Sequence, residues 1–389
     1  MKYDFDKIIS RKGTNSCKWD SIATDDILPM WVADMDFQTA PAIIEAIQRR
    51  VSHGIFGYTH VPDNYYHAVT DWFKRRHGLT IEKDWIIYTS GVVPALSAII
   101  KALTQPGDQV LIQTPVYNCF FSSIRNNECE IVTSPLIRKD QTYYMDFEDL
   151  EKKTADEKLK LMILCNPHNP AGRVWTKEEL TRVGEICLRN NVIVIADEIH
   201  CELVYPPKEY TPFASISDDF LQHSITCLSP SKAFNIAGLQ IANIVSANED
   251  FRKRINRAIN INEVCDVNPF GIEATIAAYN EGEDWLVQLL DYLKGNYDYM
   301  CEYCKTYLPD FPLTRLEGTY LVWMDCTHTH LTSAELDKRL KSEAGLWLNQ
   351  GDMYGLEGEG FMRWNIACPR SVLTKGLDRF RQFVEKSGF

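Results

Sequence analysis

What this chain lacks narrows its function before any motif is read. No stretch reaches the ~18 uninterrupted apolar residues that a membrane-crossing helix needs. The first residues, Met1-Lys2-Tyr3-Asp4-Phe5-Asp6, are polar and acidic where a secretion signal would carry an apolar core. There is no basic excess: 41 Lys and Arg stand against 53 Asp and Glu, a formal net charge of −12, so the positive face that nucleic-acid binding needs is missing. No run of like charge, low-complexity segment or internal repeat interrupts the chain. Metal-ligand spacing is also lacking, because the single C-x-x-C pair, Cys301 and Cys304, has no second pair or suitable histidine, and His328 and His330 stand alone. The 12 cysteines are scattered, several inside apolar runs (Cys165, Cys187, Cys227), which reads as free thiols. These absences predict a cytoplasmic protein with no membrane, nucleic-acid or metal partner.

What is present has the composition of an ordinary globular enzyme, 45% hydrophobic and 24% charged over 389 residues, enough for one large α/β unit with a smaller appendage. Apolar runs of strand length recur at Trp85–Thr89, Val110–Ile112, Glu130–Val132, Leu161–Leu164, Val192–Ile195, Ile225–Leu228 and Ile241–Val245. Helical segments such as Pro94–Ile99 and Lys177–Asn190 separate them, and near-continuous apolar strands alternating with helices imply a largely parallel sheet covered on both faces. Thr39 as N-cap and Pro41 in the first turn predict a helix from Ala42 to about Val51. Further helices are expected over Asn248–Asn260, Pro269–Tyr279 and Asp284–Tyr307. From Leu313 the pattern changes to aromatic-rich strands, Tyr320–Asp325, Trp347–Asn349 and Phe361–Ile366, mixed with helices near Ser333–Glu343 and Val372–Val384, which reads as a second, α+β unit.

Ligands of parallel sheets bind beyond the carboxyl ends of the strands, and the polar residues of interest fall there. The segment Ser229–Gly238 holds Lys232 among small, neutral residues, with no acid or base nearer in sequence than His223, Asp219 or Glu249. A desolvated lysine loses part of its preference for the ammonium form and can attack a carbonyl; the same lysine could equally reach out to water. Asp197 ends a buried strand, where it could also cap a helix, and Asn169 lies in a turn rich in Pro, Asn and Gly. Ser90-Gly91 leads straight into a helix whose free N–H groups suit an anion. Asp34 and Asp36, set in the apolar run Leu28–Phe37, mark either a pocket edge or a solvated loop. Lysine, acid and amide together form the set that an aldehyde cofactor with a pyridine ring would use: one amine to condense with it, one acid to keep the ring nitrogen protonated, one amide for the phenolic oxygen.

The motifs Cys165-Asn-Pro-His-Asn-Pro-Ala-Gly-Arg173, Ala196-Asp-Glu-Ile-His200, Ser229-Pro-Ser-Lys-Ala-Phe-Asn-Ile-Ala-Gly-Leu239 and Arg363-Trp-Asn365 resemble, in order and spacing, the pyridoxal-phosphate enzymes of aminotransferase fold type I. Leu28–Phe37, Gly57-Tyr58-Thr59 and Phe361–Arg370 resemble its cystathionine β-lyase and C–S lyase branch. The resemblance implies an α/β fold with a large domain around a mostly parallel seven-stranded sheet and a smaller α+β domain. It divides the chain into residues 1–50, contributing to the small domain, 51–284 as the large cofactor-binding domain, and 285–389 as the small domain. Pyridoxal 5'-phosphate is the implied cofactor, and a homodimer with shared active sites the implied assembly.

By position, the resemblance makes Lys232 the residue that carries the cofactor and moves the Cα proton. Asp197 would face the ring nitrogen, Asn169 the phenolic oxygen and Tyr117 the ring face, with His200 behind. Gly91, Val92, Ser229 and Ser231 would hold the phosphate, joined by Tyr58 from the neighbouring subunit. Arg363 would grip the substrate α-carboxylate, a planar match that lysine cannot reproduce, with Trp31, Val32, Ala33 and Tyr320 lining the substrate side. One position departs from many aminotransferases of this fold, which carry a phosphate-binding arginine eight residues after the lysine; here it is Gln240. The expected activity is β-elimination of cystathionine, cysteine or cysteine S-conjugates to thiol, pyruvate and ammonia. An aminotransferase, or a cofactor-binding regulatory protein without turnover, are the alternatives.

Overall fold

The computed structural model describes residues 2–21, 26–261, 263 and 266–389. Seven strands form the main sheet, in the spatial order Ile86–Thr89, Ala242–Val245, Ser224–Leu228, Ile193–Asp197, Leu159–Cys165, Gln109–Ile112 and Glu130–Thr133. All neighbours pair in parallel except Ala242–Val245, which runs antiparallel to both of its partners. The central strands are apolar along their length because both faces are covered. In Leu159–Cys165, Leu161, Ile163 and Cys165 join one apolar cluster with Ala95, Ile99 and Ile255, while Met162 and Leu164 join another with Trp175, Leu180 and Val183. That two-residue alternation is the pleat of a strand packed on both sides.

The covering helices start where the sequence supplies caps. Lys177–Arg189 opens with a capping box in which Thr176 and Glu179 satisfy each other's backbone N–H. Glu249–Asn260 opens on the Asn248 side chain. A three-stranded antiparallel sheet of Leu321–Asp325, Phe361–Asn365 and Asn349–Gln350 forms a second layer with the helices Arg370–Ser387, Ser333–Arg339 and the long Glu283–Tyr307. Leu28–Pro29 pairs in parallel with Leu346–Trp347, so the N-terminal stretch is stitched to this second layer. Among the described residues no helix is long and apolar enough to cross a membrane.

Several expectations need correction. The first helix runs Pro41–His53 with Ala40 as its N-cap, and Thr39 lies one residue too early: its Oγ1 is buried without a hydrogen-bond partner. Asp197 caps no helix, since its carboxylate accepts the Ile199 N–H in a tight turn at the end of its strand. The Trp347–Asn349 stretch is two short pairings, Leu346–Trp347 and Asn349–Gln350, made with different partners. A hairpin of Ile137–Lys139 and Thr142–Tyr144 was not expected, because its first strand is wholly exposed and carries no apolar run. The described cysteines are free thiols, and Cys265 lies outside the described residues.

Candidate active site

Cys165, Asp197 and Cys227 lie side by side in register at the carboxyl ends of three central strands. The loops that leave those ends, with the start of the Val92–Leu103 helix and the chain around Ala33, close a cavity of about 200 Å³. Gly91, Tyr117, Asn169, Asp197 and Lys232 all line it. The sheet therefore brings together residues up to 141 positions apart in sequence, from Gly91 to Lys232.

Asp197 is buried and, among the described residues, forms no ion pair; its carboxylate accepts one backbone N–H, from Ile199 at 3.2 Å. Burial pushes its pKa up to about 7. Lys232 donates from Nζ to the Ala33 carbonyl at 2.6 Å, and burial, followed by the nearby Arg363 charge, pulls its pKa down to about 8. His200 lines the same cavity with its Nδ1 buried and unpartnered, and burial holds the imidazole neutral.

One end of the cavity is built for an anion. Gly91 and Val92 begin a helix of 12 residues, whose first N–H groups have no intrahelical acceptor. Ser231 lines this end, while Ser229 lies behind it, its Oγ 2.6 Å from the Ile241 carbonyl and 2.8 Å from the Ser231 hydroxyl. Gln240 also lines the cavity.

Arg363 does not line the cavity, and of the expected substrate-side residues Trp31, Val32, Ala33 and Tyr320 only Ala33 does; Arg363 is buried and reaches the lining through Asn169, donating from Nη1 to Asn169 Oδ1 at 3.1 Å and from Nη2 to the Trp31 carbonyl at 2.8 Å. Its Nε is buried without a partner. Asn169 Oδ1 accepts from the guanidinium, which orients its amide NH₂ away from Arg363, and among the described residues no hydrogen bond from that NH₂ is seen. The Tyr320 hydroxyl donates to the Ala33 carbonyl at 3.0 Å, and the Val32 carbonyl accepts from Asn365 Nδ2. Tyr117 precedes the Asn118–Arg125 helix, and burial raises the pKa of its phenol. Tyr58 does not join the cavity of its own chain; it is 97% exposed.

Sequence reasoning missed the residues that hold this arrangement. Asn235, at a left-handed φ of 55°, accepts the Met35 N–H and donates to the Met35 and Phe37 carbonyls, tying the Lys232 loop to the chain around Ala33. Asn365 does the same from the Arg363 strand, donating to the Val32 and Asp34 carbonyls. Cys119, whose thiol interacts with the Tyr117 hydroxyl, and Tyr354, whose ring lies under Arg363, are further members. The only sequence signal for Asn235 and Asn365 was their place in motifs already quoted for a neighbour.

These groups fit pyridoxal phosphate. A buried acid without a counter-cation suits a protonated ring nitrogen, a free amide NH₂ suits a phenolic oxygen, an amine at about 8 suits an aldehyde, and an open helix end suits a phosphate. Set at the carboxyl ends of a mostly parallel seven-stranded sheet, they define a pyridoxal-phosphate enzyme of aminotransferase fold type I. Comparison with known families places the particular chain: it matches aminotransferase class I and II over residues 25–380 and belongs to that family. A Bacillus subtilis protein named cystathionine beta-lyase PatB is 43% identical over 382 residues, which are 97% of this chain and 99% of that protein. The structure of cystalysin from Treponema denticola, which contains pyridoxal 5'-phosphate, superposes with a TM-score of 0.96 at 35% identity, covering 99% of this chain and 100% of the other. The pyridoxal-phosphate-bound C-S lyase from Staphylococcus hominis gives 0.92 at 36% identity, covering 98% and 99%.

Proposed function

We propose that the protein is a cytoplasmic carbon–sulfur lyase that cleaves cystathionine, cysteine or related cysteine S-conjugates to a thiol, pyruvate and ammonia. The observation that carries this reading is a cavity-lining amine at about 8 near a buried guanidinium that is bonded to the cavity-lining Asn169, in a chain 43% identical to a cystathionine β-lyase along nearly its whole length. When bound, pyridoxal phosphate supplies an aldehyde that takes up the substrate amine and a ring that accepts the electron pair left at Cα.

The chain's residues do the rest. Arg363 receives the α-carboxylate and so fixes which Cα bond faces Lys232. Lys232 is the base: near pH 8 about half of such an amine is neutral, and a neutral amine takes the Cα proton. Asp197, whose pKa burial raises to about 7, would pair as a carboxylate with a protonated ring nitrogen, and that cation would draw electron density away from Cα. Asn169 holds Arg363 through its oxygen, and its NH₂ would donate to the cofactor's phenolic oxygen. Tyr117, which lines the cavity, would cover the cofactor's ring, and His200 would back the site as a neutral donor or acceptor. Ser231, supported by Ser229, and the Gly91 and Val92 N–H groups hold the phosphate. On the substrate side Ala33 lines the cavity, and Trp31, Val32 and Tyr320 would complete the wall. With a sulfur substituent on Cβ, loss of the Cα proton and breaking of the Cβ–S bond expel the thiolate, and the three-carbon remainder takes up one water to give pyruvate and ammonia.

We also infer a homodimer with shared sites, and a division of the chain at about residues 50 and 284. Tyr58 supports the first: it stands 97% exposed beside exposed Val51, Ile55 and Phe56, an aromatic that finds no use in its own cavity. It would reach the phosphate end of the neighbouring protomer's site. The pairing of Leu28–Pro29 with Leu346–Trp347 supports grouping the N-terminal stretch with the C-terminal layer.

The test is incubation of the holoenzyme with cystathionine and no keto acid. Steady release of thiol and pyruvate is the expected result. Turnover only after a keto acid is added would instead make the protein an aminotransferase, and bound cofactor without product would make it a binding protein.

A further inference from the structure

The guanidinium of Arg363 is held by a closed ring of contacts outside the cavity lining. Its Cζ lies 5.2 Å from the centre of the Tyr354 ring. The Tyr354 hydroxyl accepts from Asn349 Nδ2 at 3.1 Å, and the same Nδ2 donates to the Trp31 carbonyl at 3.2 Å. That carbonyl also accepts Arg363 Nη2 at 2.8 Å, which closes the ring. Asn349 sits directly opposite Arg363 in the antiparallel pair, so backbone register fixes its distance.

The ring is braced on every side. Tyr354 is buried, meets Trp323 edge-on with centroids 5.4 Å apart, and through its own carbonyl accepts the Val116 N–H beside Tyr117. Trp31 is stacked on Trp347 with centroids 4.5 Å apart. An arginine on a free stem must lose several rotations to meet a carboxylate, and bidentate pairing demands that its plane be correct. An aromatic face under the cation and a carbonyl on one Nη remove that freedom before substrate arrives.

We propose that Tyr354 and Asn349 are positioning residues that fix the plane of the Arg363 guanidinium and so set the preference for ligands that bear a carboxylate. The inference rests on the clamp role given to Arg363 above.

Two ligands with one thioether body separate this role from general support of the fold: methylthiopropionate offers only a carboxylate, and methylthioethylamine only an amine. Their dissociation constants with the holoenzyme are measured by calorimetry, which needs no turnover. Tyr354→Leu weakens the carboxylate ligand about tenfold and leaves the amine ligand within about twofold. Tyr354→Phe keeps the ring face and stays within about threefold for both, and Asn349→Ala falls between the two. If Tyr354→Leu does not fold, judged by near-ultraviolet circular dichroism, Asn349→Ala carries the same comparison. Equal weakening of both ligands, or of neither, overturns the proposal, and so does a wild-type protein that fails to bind the carboxylate ligand. A wild-type protein that binds it yet releases no thiol from cystathionine sinks the lyase reading alone.

Discussion

Lys232 and Asp197 both sit where their usual charge is disfavoured, and each shift has a measurable consequence. For Lys232 the pKa falls to about 8, so the neutral amine that attacks an aldehyde gains population as pH rises and saturates above that value. Reconstitution of the apoprotein with pyridoxal phosphate, followed by absorbance, is expected to speed up roughly tenfold per pH unit below about 8 and then level off. Lys232→Ala removes the reaction at all pH values. For Asp197 the pKa rises to about 7, so the folded apoprotein binds this proton more tightly than the unfolded chain does. Its cost is therefore absent below the ordinary carboxylate range, grows as pH climbs toward 7, and stays in full above it. Asp197→Asn should raise the melting temperature of the apoprotein more at pH 8 than at pH 5, by a stability difference on the order of 3 kcal/mol. A variant no more stable at pH 8 than at pH 5, relative to wild type, would remove the assignment of Asp197 as an uncompensated buried acid. The candidacy of Lys232, Asp197 and Asn169 was legible in sequence because each follows or ends a strand or sits in a turn-rich motif, whereas Arg363, in the middle of the Phe361–Asn365 strand, was marked only by resemblance. Asn349 and Tyr354 were not legible, because an amide and a phenol in a stretch of short pairings carry no periodic signal.

At the scale of elements, the chain around Ala33 behaves as a strap over the lysine loop. Asn235 fastens it from the cofactor side and Asn365 from the second layer, and the Lys18 ammonium, almost wholly buried, meets Asp36 at 2.7 Å while Arg11 meets Asp34 and Asp36. The chain that carries the Ala33 carbonyl, which receives Lys232, is thus held by four residues, Asn235, Asn365, Lys18 and Arg11. Asn235→Ala leaves the Met35 N–H and two carbonyls without this partner and is expected to cost about 1–3 kcal/mol in denaturant melts, with a slower catalytic step as the lysine loses its rest position. Unchanged stability would mean that water takes over these bonds. The central strands were legible from their apolar runs, since burial on both faces requires them, while the edge strand Glu130–Thr133 is only partly buried and shows a weaker run. The strap was not legible: its ten residues from Leu28 to Phe37 look like an interrupted apolar run, and only tertiary partners decide that Asp34 and Asp36 face Arg11 and Lys18.

For the whole molecule, the exposed group of Val51, Ile55, Phe56 and Tyr58 asks for a covering surface. Sedimentation should return twice the chain mass, and Tyr58→Phe should weaken cofactor binding about tenfold if its hydroxyl reaches the neighbouring site. A monomer with full cofactor affinity would contradict the shared-site reading. The sequence could suggest this surface only by resemblance, because a monomer's burial pattern says nothing of a second copy. In the proposed chemistry Lys232 would take the Cα proton, and elimination and transamination would draw on the same residues, so the product separates them. The amount of pyruvate formed per active site from cystathionine, with every keto acid excluded, decides between them most directly. Continued formation over many equivalents per site is the predicted result; no pyruvate, with at most one equivalent of cystathionine per site converted to its own keto acid, would contradict the lyase account.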